Sequence, residues 1–72
     1  MRVEQHAVEQ IYLPWEVAAI FRVNPKTVIR WTRVGKFGPE GETWFRTLGG
    51  HTRYRRERVD ALVRRTMSPR QQ

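Results

Sequence analysis

The sequence predicts a mainly α-helical fold with a small β-hairpin, and three observations point there. Two short amphipathic segments, LPWEVAAIFRV and NPKTVIRWTRVGK, follow each other almost without a gap. A basic run, RTLGGHTRYRRE, is split by paired glycines, and a last amphipathic segment, ERVDALVRR, completes the apolar pattern. A chain of 72 residues has room for one domain, with a core near the lower size limit for independent folding. Its 39% apolar content, with three Trp, three Phe and two Tyr, exceeds that of a typical disordered segment, so a packed unit is expected.

The elements follow in order. Residues 1–11 read as a flexible arm, although Val3, Ala7 and Val8 leave room for a helical turn, and residues 67–72 read as a loose polar tail. Between them, residues 12–66 form the expected domain. In its first helix Pro14 suits the opening position and Glu16 lies in the first turn, where the helix dipole favours an anion. Val17, Ala18, Ile20 and Phe21 supply the apolar stripe; Leu13 is a poor N-cap.

The second helix has the clearest punctuation. Asn24 is a good N-cap, Pro25 fits the first helical position, and Gly35 fits a left-handed C-terminal position. At 100° per residue, Val28, Trp31, Thr32 and Gly35 share one face, and Lys26, Arg30 and Arg33 share the other, flanked by Thr27 and Ile29. Only Arg22 and Val23 separate this cap from the preceding helix, which is the spacing of a helix-turn-helix. The loop GPEGET has turn composition; TWFRTL and TRYRR then read as two strands joined through GGH. Val59, Leu62 and Val63 give a third helix its buried face, with Arg56, Arg58, Arg64 and Arg65 largely outside it.

Composition narrows the chemistry. Without cysteine there are no disulfides or thiolate metal sites, and two isolated histidines cannot complete a zinc shell, so no metal or other cofactor is expected. No paired carboxylates and no Ser, His and Asp arrangement suggest catalysis, and so small a domain has little volume for a substrate pocket; the chain reads as a non-enzyme without a small-molecule substrate. No apolar run approaches a membrane span and the N-terminus lacks the apolar core of a signal peptide, so a cytoplasmic protein without a membrane partner is expected. Fourteen Lys and Arg against seven acids leave a net charge of +7, which favours phosphate-rich polymers or anionic membranes.

Helix, turn, helix, hairpin and helix together describe a winged helix-turn-helix. The second helix would enter a major groove of double-stranded DNA, and the hairpin would reach the adjacent minor groove or its phosphates. Pro25, Lys26, Thr27, Ile29, Arg30 and Arg33 are the candidate contacts of the helix. Side chains and backbone amides at its N-terminus can both reach phosphate or base edges. Arg30 is placed for a guanine edge, Arg33 for a phosphate, and Ile29 for a thymine methyl or a packing contact. Arg46, Thr47, Gly50, His51 and Arg53 are the candidate wing contacts, with Arg46 and Arg53 on opposite strands and His51 at the tip. A one-residue slip in the hairpin register would turn Arg46 to the other face. Trp31 belongs with Val28 in the core; Trp15 and Trp44 are open to packing or to stacking on bases.

LPWEVAAIFRVNPKTVIRWTRVGK followed by RTLGGHTRYRRERVDAL resembles the DNA-binding domain of the MerR superfamily, in the compact form of BldC-type regulators and phage excisionases. The likeness spans about Tyr12 to Arg65. It implies that Pro25 to Gly35 is the recognition helix, that RTLGGHTRY is the wing, and that Lys26, Thr27, Arg30, Arg46, His51 and Arg53 touch DNA. Three positions depart from the pattern: Leu13 replaces a capping Thr, Thr52 replaces a basic wing residue, and GPEGET lengthens the connection before the wing. The longer members carry a dimerisation helix for which this chain has no room, so head-to-tail contacts between copies on repeated sites are expected. The implied function is that of an excisionase, or recombination directionality factor, in a bacterial host cell. It would bind repeated attachment-site sequences cooperatively, bend the DNA and assist a tyrosine integrase. The alternative is a small BldC-like transcriptional regulator on promoter repeats, and a third class is a protein or anionic-membrane adaptor.

Overall fold

The computed structural model describes residues 10–66. The expected N-terminal arm up to residue 9 and the expected tail from residue 67 lie outside the described residues. The described residues form three helices and a three-stranded antiparallel sheet, in the order β1 (Ile11–Tyr12), α1 (Pro14–Phe21), α2 (Pro25–Arg33), β2 (Trp44–Arg46), β3 (Thr52–Arg55) and α3 (Arg56–Thr66). This is the winged helix-turn-helix architecture expected from the sequence.

The two helices of the motif have eight and nine residues. Helices this short are marginal by themselves, so burial must hold them. Val17 and Ala18 of α1 and Val28 of α2 are buried together with Phe37, Tyr54 and Val59, one core drawn from every layer. Burying a valine or tyrosine side chain stabilises by about 1.5–3 kcal/mol, which outweighs any propensity difference within either helix.

Local chemistry sets the ends. Leu13 has no side-chain acceptor, so only half a capping box forms at α1: the Glu16 carboxylate accepts the Leu13 backbone N–H at 2.7 Å. The turn to α2 is made by Arg22, whose φ of 60° and ψ of 47° are left-handed. Here Arg22 and Val23 donate back to Ala19 and Ala18 at 3.2 and 2.9 Å. Asn24 caps α2 as expected, its side chain accepting the Lys26 N–H at 2.8 Å. At the other end Gly35 has φ of 91°, and Lys36 and Gly35 donate to the Trp31 and Thr32 carbonyls at 2.9 and 3.3 Å. That pair of bonds is a Schellman motif, and it needs the left-handed glycine.

The reversal at Gly35 carries Phe37 into the core, a residue the sequence pattern did not single out. Phe21, Trp31, Phe37 and Tyr54 then form a chain of edge-to-face rings with centroids 5.8, 6.3 and 5.5 Å apart. Trp31 is half-buried and packs against the core, as expected from its face. Trp44 also packs, donating its indole N–H to the Gly38 carbonyl at 2.9 Å and tying GPEGET to the sheet, whereas Trp15 is exposed.

The sheet has the order β1-β3-β2. Its first strand is an addition to the hairpin expected from sequence: Ile11 pairs with Arg55 and Tyr12 with Tyr54, so Ile11 belongs to the folded unit and not to the arm in which the sequence placed it. Two residues carry too little pattern to read as a strand alone. Beyond the sheet, Arg56 N–H donates to the Gln10 carbonyl, and Tyr12 donates its hydroxyl to Asp60 at 2.9 Å, which joins β1 to α3. No described helix is long and apolar enough to cross a membrane.

Candidate nucleic-acid interface

Lys26, Arg30 and Arg33 occur at intervals of four and three residues and are all exposed, so α2 presents one row of cations about 10 Å long. Pro25 is exposed at the head of this row, with Thr27 and Ile29 half-buried along its margins. On the opposite side Val28 and Thr32 are buried, so the expected two faces of the helix are those of the structure.

Backbone amides at the N-terminus of α2 are engaged within the helix. Pro25 has no N–H, Lys26 donates to the Asn24 side chain, and Thr27 and Val28 donate to the Asn24 carbonyl at 2.8 and 3.4 Å. The expectation that these amides reach phosphate is therefore corrected: the cap that stabilises the helix uses them.

No described acid forms an ion pair with the row. An ion pair joins Arg58 to Glu42 at 3.8 Å, between α3 and the loop before β2. Glu16, in the first turn of α1, is held by the Leu13 N–H, and Asp60, in the second turn of α3, by the Tyr12 hydroxyl. The electrostatic consequence is that the α2 cations, unpaired with any described acid, remain available to an external anion.

A buried hydrogen bond fixes the wing against this helix. Thr32 Oγ1 donates to the Val28 carbonyl at 2.9 Å and lies 2.8 Å from the Tyr54 hydroxyl. Because the threonine proton is used on Val28, Tyr54 is the donor to Thr32. Burial pushes the Tyr54 phenol above its ordinary value of 10.0, and the Thr32 hydroxyl pulls it partway back by turning toward the phenolate. The bond links the middle of β3 to the inward face of α2, so Arg33 and Arg53, each next in sequence to one partner, sit on two elements held in fixed relation. Sequence reading placed Thr32 inside but did not find this partner.

The hairpin register is Trp44 to Tyr54, Phe45 to Arg53 and Arg46 to Thr52. Arg46 therefore shares a face with Trp44 and Tyr54, while Arg53 shares the other with Phe45. The two arginines are on opposite strands, as expected, and project to opposite sides of the wing. Arg46 lies over the Trp44 ring at 5.7 Å, and Arg53 donates to the Thr52 carbonyl at 2.8 Å.

At the loop, Thr47 donates its N–H to the His51 carbonyl at 2.9 Å, and the His51 N–H reaches Thr47 Oγ1 at 3.2 Å. His51 thus closes the base of the loop; the expected position at the tip belongs to Leu48. The paired glycines have different reasons. Gly50 has φ of 81°, and a Cβ on Gly49 would lie 3.1 Å from the His51 ring.

None of the described residues forms a group of three potential metal-ligating side chains. Among curated proteins none matches the chain. A family model described as a helix-turn-helix domain matches residues 15–67, which covers α1 from its second residue, α2, the wing and the described length of α3. With its two short helices, outward cation row and hairpin wing, the chain belongs to this family of helix-turn-helix domains and is a DNA-binding protein.

Proposed function

We propose that residues 12–66 bind double-stranded DNA sequence-specifically as an architectural module, and that the protein is an excisionase, or recombination directionality factor, of the compact MerR-like type. In this reading α2 lies in the major groove with Lys26, Thr27, Ile29, Arg30 and Arg33, and Pro25 sets its entry. Arg30 reads a guanine edge and Arg33 clamps a phosphate. The wing brings Arg46, Thr47, Gly50, His51 and Arg53 to the adjacent minor groove and its backbone. Several copies then bind head-to-tail on repeated attachment-site sequences, bend the DNA and favour assembly of a tyrosine integrase for excision. Bending a short site costs on the order of 1–6 kcal/mol, which contacts from several copies offset.

The observation that carries the reading is the cation row of α2, free of ion pairs to described acids, on a helix bonded through Thr32 and Tyr54 to the strand that bears Arg53. Its sequence likeness to phage excisionases supports the biological role. The test is a genome-wide recovery of bound DNA, followed by footprinting of the strongest site at physiological salt. Protection of tandem repeats in an attachment site beside an integrase gene is the expected result. Protection confined to promoter repeats would replace the excisionase with a BldC-like regulator, and the absence of discrete sites would refute specific recognition.

A further inference from the structure

We infer that Leu48 is an apolar wedge that the wing delivers to the floor of the minor groove, where it opens a base step and sets the bend. This inference rests on the DNA reading above and adds the residue through which deformation occurs.

Leu48 has a relative exposure of 108%, against 60% for Trp15 and 62% for Val34, the other exposed large apolar residues among the described residues. Its side chain is fully exposed, yet the loop holding it is ordered by hydrogen bonds. Gly50 N–H returns to the Thr47 carbonyl at 2.9 Å, which makes Thr47 to Gly50 a β-turn with Leu48 at its second position. Gly49 has no positive φ, and Gly50 is left-handed at 81°, the signature of a type I turn followed by a glycine bulge. The turn holds the leucine outward at the apex.

Shape and charge at the apex suit a groove floor. The minor groove is about 6 Å wide, too narrow for strands that carry side chains on both faces. After Leu48 come Gly49 and Gly50, so the end of the hairpin is slim where the strands behind it are not. Arg46 and Arg53 project to opposite sides of the hairpin, one toward each phosphate wall if the wing enters edge-on. Between two cationic sides the apex carries a branched hydrocarbon that cannot hydrogen-bond a base edge. Its remaining mode of contact is apolar insertion, by which such side chains unstack a step and kink the duplex by about 20–90°. Pyrimidine–purine steps yield most easily, so a TA or CA/TG step is expected under the apex.

The test uses the full chain and a single-site duplex found by footprinting, with end-to-end fluorescence transfer reporting the bend and 2-aminopurine at the step reporting unstacking. The wild type should bend the site and raise the 2-aminopurine signal. Leu48→Ala and Leu48→Ser should lose most of both signals and bind about tenfold or less more weakly, while Leu48→Met retains them. Thermal midpoints should not move, because the side chain is fully exposed. Leu48→Ala with an unchanged bend and 2-aminopurine signal would overturn the wedge and leave DNA binding standing. Reduced cooperativity on tandem sites with an unchanged single-site bend would also overturn it, reassigning Leu48 to contacts between copies. A wild type that selects no duplex would instead remove the proposed function on which the wedge depends.

Discussion

Replacing Thr32 with valine keeps the shape of the side chain and removes the acceptor of the Tyr54 hydroxyl. Tyr54 is fully buried, so its O–H would have no partner, at a cost of about 1–3 kcal/mol. Tyr54→Phe leaves Thr32 still donating to the Val28 carbonyl and keeps the ring against Phe37, so it should cost less, about 0.5–1.5 kcal/mol. The double variant has no orphaned hydroxyl, and its cost should fall about 1 kcal/mol short of the sum of the two single changes. Thermal and urea unfolding measure all four proteins; for a domain of this size, 1 kcal/mol shifts Tm by about 4–8 °C. Strict additivity, or Thr32→Val as stable as the wild type, would refute the donor assignment and the role of this bond in holding the wing. A pH series gives a second view. Because the folded-state pKa of Tyr54 is raised, its contribution is fully present below the unfolded value near 10 and is lost as pH rises through the folded pKa. The steeper alkaline loss of stability seen in the wild type should be absent in Tyr54→Phe.

Other consequences are local. Asn24→Ala removes the acceptor of the Lys26 N–H and should destabilise the fold by about 1 kcal/mol, visible in urea unfolding; an unchanged midpoint would show that the cap is dispensable. Arg22→Gly relieves a left-handed non-glycine residue and should raise stability by about 0.5–1 kcal/mol, so a lower Tm would contradict the conformational argument. Arg30→Ala should narrow the affinity gap between specific and random duplexes, whereas Arg33→Ala should weaken both equally; competition binding separates them. Arg53→Ala should weaken DNA binding with the fold intact, and a collapse of thermal stability would make it a structural residue.

What the sequence revealed was what neighbouring residues determine. Asn24, Pro25 and Gly35 each act within a few residues, through a cap, a fixed φ and a left-handed reversal, so the limits of α2 were legible, as were its buried and cationic faces. β1 was hidden because its two residues acquire meaning only when paired with Tyr54 and Arg55 more than forty positions away. The Thr32–Tyr54 bond was hidden for the same reason, although a threonine on an apolar helix face was a signal that a polar partner was needed. Hairpin register decided the wing: the arginines were visible, but their projection to opposite sides and the substitution of Leu48 for His51 at the apex depend on how the glycine turn closes.

The location of the DNA-binding face is the central claim, and the salt dependence of duplex affinity tests it most directly. Each phosphate contact contributes a slope near −0.9 in log K against log salt, so contacts by four cations give roughly −4 for the wild type. Arg33→Ala and Arg46→Ala should each make the slope shallower by about one, while Arg64→Ala and Arg65→Ala, on the last turn of α3, should leave it unchanged. Loss of slope at Arg64 and Arg65 with none at Arg33 and Arg46 would place the DNA on the other side of the molecule and contradict the account.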